Sequence, residues 1–94
     1  MRYFIEISYL GTHFSGFQIQ PNARTVQGEL EKALSMVLRC PMTIQGSSRT
    51  DSGVHAKQQF AHFDFERIAK TEELVYKLNR FLSSDVAVQA IYAL

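Results

Sequence analysis

The sequence predicts an α+β domain: one four-stranded antiparallel sheet with two helices on one face. Three observations predict it. Both ends of the chain alternate apolar and polar residues with the period of a strand, two internal stretches repeat apolar residues at helical spacing, and the order reads strand, helix, strand, strand, helix, strand. Each helix carries a single apolar stripe, and one sheet face is the simple place to bury both.

Arg2 to Leu10 alternates, with Tyr3, Ile5, Ile7 and Tyr9 on one side and Glu6 and Ser8 on the other, as a half-buried strand requires. Gly11 to Arg24 follows as a long loop, broken by Gly11, Gly16, Pro21 and Asn22 but carrying Phe14, Phe17 and Ile19. Thr25 is positioned as an N-cap for a first helix, behind which Val26, Leu30, Ala33, Leu34, Val37 and Leu38 form the stripe. Pro41 disfavours helical geometry at Cys40, so the helix ends there and Met42 to Gln45 is expected as a short second strand. Gly46 to Gly53 reads as a polar turn region. His55 to Phe65 extends again, with Phe60 on one face and Phe63 and Phe65 on the other. Thr71 is expected to cap a second helix whose first turn holds Glu72 and Glu73, where negative charge suits the helix dipole, and whose stripe is Leu74, Val75, Leu78, Phe81 and Leu82. Ser83 to Asp85 ends it, and Val86 to Tyr92 is the last strand. This βαββαβ order is the ferredoxin-like arrangement, with one sheet face left open for RNA, another domain or a second subunit.

The 94 residues are 46% hydrophobic and 20% charged, the composition of one ordinary globular domain with little room for a complete multi-substrate enzyme. No apolar run approaches the roughly 20 residues of a membrane span, and Glu6 interrupts what would have to be a signal core. The chain reads as soluble and cytoplasmic. The single cysteine, Cys40, has no partner for an internal disulfide and reads as a small apolar filler near a helix end. A net charge of +1 carries no global mark of a nucleic-acid binder, although Arg39, Arg49 and Lys57 face a single acid, Asp51, between positions 39 and 57.

The segment from Gly46 to Ala56 places acid, base, hydroxyls and glycines together between two strands. Asp51 beside Arg49 is expected to stay ionised, because a neighbouring positive charge favours the carboxylate, and an ionised carboxylate is able to act as nucleophile or general base. Spacing alone does not separate that role from an ordinary turn aspartate next to Ser-Gly. His55 has no Ser or Cys partner at a diagnostic spacing, which leaves a hydrolytic triad weakly supported.

Arg49-Thr50-Asp51-Ser52-Gly53-Val54-His55-Ala56 resembles the R-T-D-x-G-V-H-A signature of the TruA-type tRNA pseudouridine synthases. Three further stretches resemble the same family in register: Tyr9 with Gly11 to Gln20, Val26-Gln27 with Leu30-Glu31 and Ala33-Leu34, and Leu78-Asn79 with Leu82 and Asp85 to Val88. Leu10, Ser48 and Ser83 depart from it, standing where an acid, a glycine and a proline are usual.

The resemblance implies isomerisation of uridine to pseudouridine at positions 38 to 40 of the tRNA anticodon stem-loop, without cofactor or metal. It implies Asp51 as the catalytic residue. It further implies Arg49, Thr50, Gly53 and His55 as substrate-binding; by side-chain chemistry His55 is expected to bond the loop backbone, and Thr50 with Ser52 to fix the turn. Phe17, Gln18 and Gln20 are the RNA-contact candidates of the first loop, with packing of Phe14 and Phe17 into the core as the alternative. Family members are two-domain homodimers, so these residues correspond to an N-terminal domain, with a C-terminal domain that supplies a tyrosine and a basic residue expected as partner. Two other readings stand beside this one: a non-catalytic RNA-binding module, against which no strand carries the aromatic signature of the RNA recognition motif, and a ferredoxin-like interaction domain without nucleic acid.

Overall fold

A strand covered on one side buries every second residue, and β1 (Arg2–Tyr9) does so: Tyr3, Ile5, Ile7 and Tyr9 are at most 4% exposed. The computed structural model describes residues 1–11, 14, 16, 23–46 and 56–94. Beyond β1 the described elements are α1 (Val26–Leu38), β2 (Gln45–Gly46), β3 (Ala56–Asp64), α2 (Thr71–Phe81) and β4 (Val86–Ala93). The strands form one antiparallel sheet in the order β2-β3-β1-β4, the ferredoxin-like α+β topology that the sequence predicts.

One apolar core joins the inner faces of the strands to both helices. α1 contributes Val26, Leu30, Ala33 and Leu34, α2 contributes Leu74 and Leu78, and the strands add Ala61, Phe63, Val86, Val88 and Ile91. Tyr3 stacks on Phe63 with ring centroids 5.6 Å apart, and its hydroxyl accepts the Ile68 N–H at 2.7 Å, satisfying the one polar atom that this large buried ring carries inward. Among the described residues no buried side-chain nitrogen or oxygen lacks a hydrogen-bond partner.

Thr25 caps α1 as its position predicts, its hydroxyl accepting from Gly28 N–H at 3.2 Å. The other end of α1 closes at Arg39, a left-handed residue at φ 59°, immediately before Cys40-Pro41. Cys40 is half-buried against the core with its Sγ 3.6 Å from Met42 Sδ, as an apolar filler should be.

Three sequence expectations are corrected. The second strand is Gln45–Gly46 rather than Met42 to Gln45, because α1 side chains claim the backbone of the earlier residues. Met42 N–H donates to Ser35 Oγ at 3.0 Å, Ile44 N–H to Glu31 Oε2 at 2.9 Å, and Gln27 Nε2 to Ile44 O at 2.8 Å. Groups bound to a helix cannot join a ladder. Thr71 is the first helical residue of α2 rather than its cap; Lys70 holds the N-cap position with no side-chain cap bond. Phe81 is 54% exposed, because the buried line of α2 follows the four-residue row Leu74, Leu78, Leu82 and leaves Phe81 to one side of it.

β4 is an edge strand, and α2 closes part of its outer side. Asn79 Oδ1 accepts from Val88 N–H at 2.8 Å while Asn79 Nδ2 donates to Val88 O at 3.0 Å, so one side-chain amide takes the place of a neighbouring strand. The next residue, Gln89, is the extra one in a bulge, since Glu6 pairs with Ala90 and Ile7 with Val88. Asn79→Ala removes both bonds and is expected to destabilise the chain by about 2 kcal/mol in urea unfolding. Sedimentation should show stronger concentration-dependent self-association in the same variant; unchanged stability and association would deny the amide this role.

Candidate functional site

Tyr9 pairs with Ala56 of β3 and with Val86 of β4, so the last residue of β1 marks one end of the sheet on both sides. Both candidate segments attach at this end. The loop that starts at Gly11 leaves the sheet just after Tyr9, and segment 47–55 enters it at Ala56. Asp51, Arg49, Thr50, Gly53 and His55 lie outside the described residues, as do Phe17, Gln18 and Gln20. The expected closeness of Asp51 and Arg49 falls outside them too. The frame around those segments is described, and its register brings their attachment points to one place.

Beneath that end lies a buried polar pair. Tyr9 Oη donates to Gln59 Oε1 at 2.6 Å, with Tyr9 4% and Gln59 5% exposed. A bulge makes this possible: Ile7 pairs with Gln59 but Tyr9 with Ala56, one residue further than a regular ladder allows. Such a bond in an apolar core fixes both side chains, because leaving either group unpaired costs roughly 1–3 kcal/mol.

The returning limb of the loop is held by Arg24, a residue the sequence reading passed over. Its Nη2 donates to Ser83 Oγ at 2.8 Å and to Glu29 Oε1 at 3.2 Å, and its Nη1 to Asp85 Oδ2 at 3.4 Å. The guanidinium carbon sits 4.2 Å from the centroid of the Phe14 ring, itself 3% exposed. Ser83 Oγ donates in turn to Glu29 Oε2 at 3.1 Å. Leu10 N–H donates to Asp85 O at 2.9 Å, and Val26 N–H to Gly16 O at 3.2 Å. Ser83 and Asp85 are 59 and 61 positions from Arg24, which is why no local pattern announces the cluster.

The sheet face away from the helices is open and aromatic. Phe4 meets His62 edge-on at 6.1 Å, Phe60 is 36% and Tyr92 49% exposed, and Glu6 lies among them. Glu6 accepts from Gln58 Nε2 at 3.0 Å and from Tyr92 Oη at 3.1 Å. A carboxylate at the middle of the face works against a phosphate backbone there. Among the described residues no group of three or more His, Cys, Asp or Glu side chains converges, and no helix is long and apolar enough to cross a membrane.

The family model described as tRNA pseudouridine synthase matches residues 5–93. The tRNA pseudouridine synthase A of Parabacteroides distasonis is 50% identical over 91 residues, which are 96% of this chain and 36% of that protein. The protein of the same name from Aquifex aeolicus is 45% identical over 89 residues, 95% of this chain and 37% of its own length. In Staphylococcus aureus the corresponding figures are 46% over 91 residues, 97% and 34%. The chain therefore spans little more than a third of the length of the curated relatives it matches.

Hydrogen bonding to the Glu6 carboxylate, with its charge and some burial, raises the Tyr92 phenol above its ordinary value of 10.0. A raised folded-state pKa means that the bond's contribution is complete below pH 10 and is lost as pH climbs through the higher folded value. NMR titration of the Tyr92 ring should show a midpoint above that of a free tyrosine, and Glu6→Gln should bring it down. An unshifted midpoint in the unmutated chain would contradict the bond.

Proposed function

The chain belongs to the tRNA pseudouridine synthase family, and we propose on that premise that it is the part of such an enzyme that carries the catalytic aspartate, Asp51. The proposed reaction converts uridine to pseudouridine at positions 38 to 40 of the tRNA anticodon stem-loop. One observation carries the reading: the family match runs through residues 5–93, and so includes Arg49 to Ala56 with its aspartate.

The chemistry is an isomerisation. The bond from N1 to the sugar carbon breaks, the base turns, C5 bonds to the same carbon, the proton on C5 leaves and N1 regains one. Atoms and electrons balance within the nucleotide, so the step calls for no oxidant, reductant or second substrate. Asp51 supplies an ionised carboxylate at the reacting centre, and Arg49, two positions before it in sequence, holds the flipped nucleotide. Extruding a uridine from its stack costs a few kcal/mol, which contacts in the pocket must offset. Thr50, Gly53 and His55 shape the segment, while Phe17, Gln18 and Gln20 approach the RNA from the neighbouring loop. That both segments attach at the Tyr9 end of the sheet supports their acting together.

The enzyme we propose acts in the cytoplasm, where tRNA is found, and as a homodimer. Its C-terminal domain completes the cleft with a tyrosine and a basic residue. The relatives' greater length supports that second domain. In the protein at the full length its gene encodes, Asp51→Ala should lower tritium release from 5-tritiated uridine in tRNA by at least about a hundredfold, the low end of what a positioned proton-transfer group contributes. Affinity for tRNA should stay within a few-fold, since phosphate contacts carry most of it. Retained turnover would remove Asp51 from the mechanism. The 94-residue chain alone should release no tritium; turnover by it would show that Asp51 needs no second-domain partner.

A further inference from the structure

We propose that Arg24 is a positioning residue for the RNA-contacting loop, a role that rests on the proposed function and extends it to a side chain outside the aspartate segment. Its guanidinium joins four parts of the chain. It bonds Glu29 in the first turn of α1, and Ser83 and Asp85 in the turn between α2 and β4; it lies against Phe14 in the outgoing limb of the loop; and it belongs to the returning limb. Asp85 reaches the outgoing limb a second time, its carbonyl accepting the Leu10 N–H.

Both limbs of the loop that carries Phe17, Gln18 and Gln20 are therefore tied to one ion-paired cluster at the sheet end where the Asp51 segment enters. A cluster on the surface with a single pair would contribute little. Here the cation is shared by two carboxylates that are each about one-fifth exposed, 22% for Glu29 and 21% for Asp85, and by a hydroxyl that itself bonds Glu29. Such shared geometry specifies a conformation more than it adds stability.

Charge arithmetic separates positioning from direct phosphate contact. One guanidinium between two carboxylates gives the cluster no positive charge to offer RNA. If Arg24 contacted a phosphate, Arg24→Ala would lessen the slope of log affinity against log salt by roughly one. If Arg24 positions the loop, the slope stays and the affinity falls. Glu29→Gln reverses the electrostatic expectation: removing an acid near RNA should strengthen binding, whereas loosening the cluster should weaken it.

The test uses the protein at the full length its gene encodes, as the wild type and as Arg24→Ala, Arg24→Lys and Glu29→Gln. Amide hydrogen exchange is measured at Leu10, Phe14 and Val26, whose N–H groups bond Asp85, Gly11 and Gly16 in the folded chain. Kinetics are measured on an unmodified tRNA transcript across a salt series. The expected result is faster exchange at those three amides with the β1 and β3 amides unchanged. KM for the transcript should rise about tenfold in Arg24→Ala with an unaltered salt slope, a modest displacement being enough for that loss. Glu29→Gln should weaken binding in the same direction, and Arg24→Lys should recover part of both effects.

Unchanged exchange at the three amides, a salt slope reduced by about one, or tighter RNA binding by Glu29→Gln would each overturn the assignment. Absence of turnover in the wild type would overturn the proposed function instead, and the exchange measurement would still decide whether Arg24 holds the loop. Glu29→Gln keeps the size of the side chain and the folded exchange pattern elsewhere serves as the control for unfolding.

Discussion

Everything positioned in this chain depends on one strand pairing on both sides. β1 lies between β3 and β4, and its alternation admits a single face to the core; a slip of one residue would turn Tyr3, Ile5, Ile7 and Tyr9 out to water. That penalty fixes the register. Once it is fixed, Tyr9 must face Ala56 on one side and Val86 on the other, so the first loop, the aspartate segment and the α2 to β4 turn share one end of the sheet. The bulges adjust this arrangement without abandoning it. The one in the β3 ladder brings Gln59 under Tyr9, and the one in β4 leaves Gln89 free to reach Ser8 at 2.9 Å on the open face.

Where sequence reading worked, a local pattern was tied to a local cause. Thr25 could be named as a cap because its hydroxyl need reach only to Gly28, and β1 because alternation is the signature of burial on one side. Where it failed, a group several residues or a whole element away took the backbone or the side chain. Glu31 and Ser35 hold the stretch that was expected as strand, and nothing within Met42 to Gln45 encodes that competition. Phe81 satisfies helical spacing yet stands off the buried row of Leu74, Leu78 and Leu82. The candidate site divides the same way: the eight residues around Asp51 are legible by resemblance, while by composition they pass for a polar turn. Arg24 was invisible because two of its partners are supplied from beyond α2.

The two faces of the sheet are governed by different physics. Under the helices, polar atoms are few and matched, as between Tyr9 and Gln59 or Tyr3 and Ile68. On the open face a carboxylate sits among rings and is held by Gln58 and Tyr92, an arrangement with aromatic area and negative charge at its middle. In this chain, attraction for a polyanion must come from elsewhere than the middle of the open face.

The amide of Asn79 also sets a rule for how this sequence is able to change. It spans nine positions to Val88, and that span contains the whole turn from Leu82 to Asp85. A helix advances about 1.5 Å per residue and a strand about 3.3 Å, so one inserted or deleted residue in the turn cannot be absorbed by sliding either element a little. It would either part Asn79 from Val88 or shift β4 by one residue and present Val86, Val88 and Ile91 to solvent. Within the turn only Ser84 escapes constraint on its side chain, since Leu82 lies in the core and Ser83 and Asp85 bond Arg24. The α2 to β4 connection is thus a segment bound in its length and, at every position but Ser84, in its letters as well.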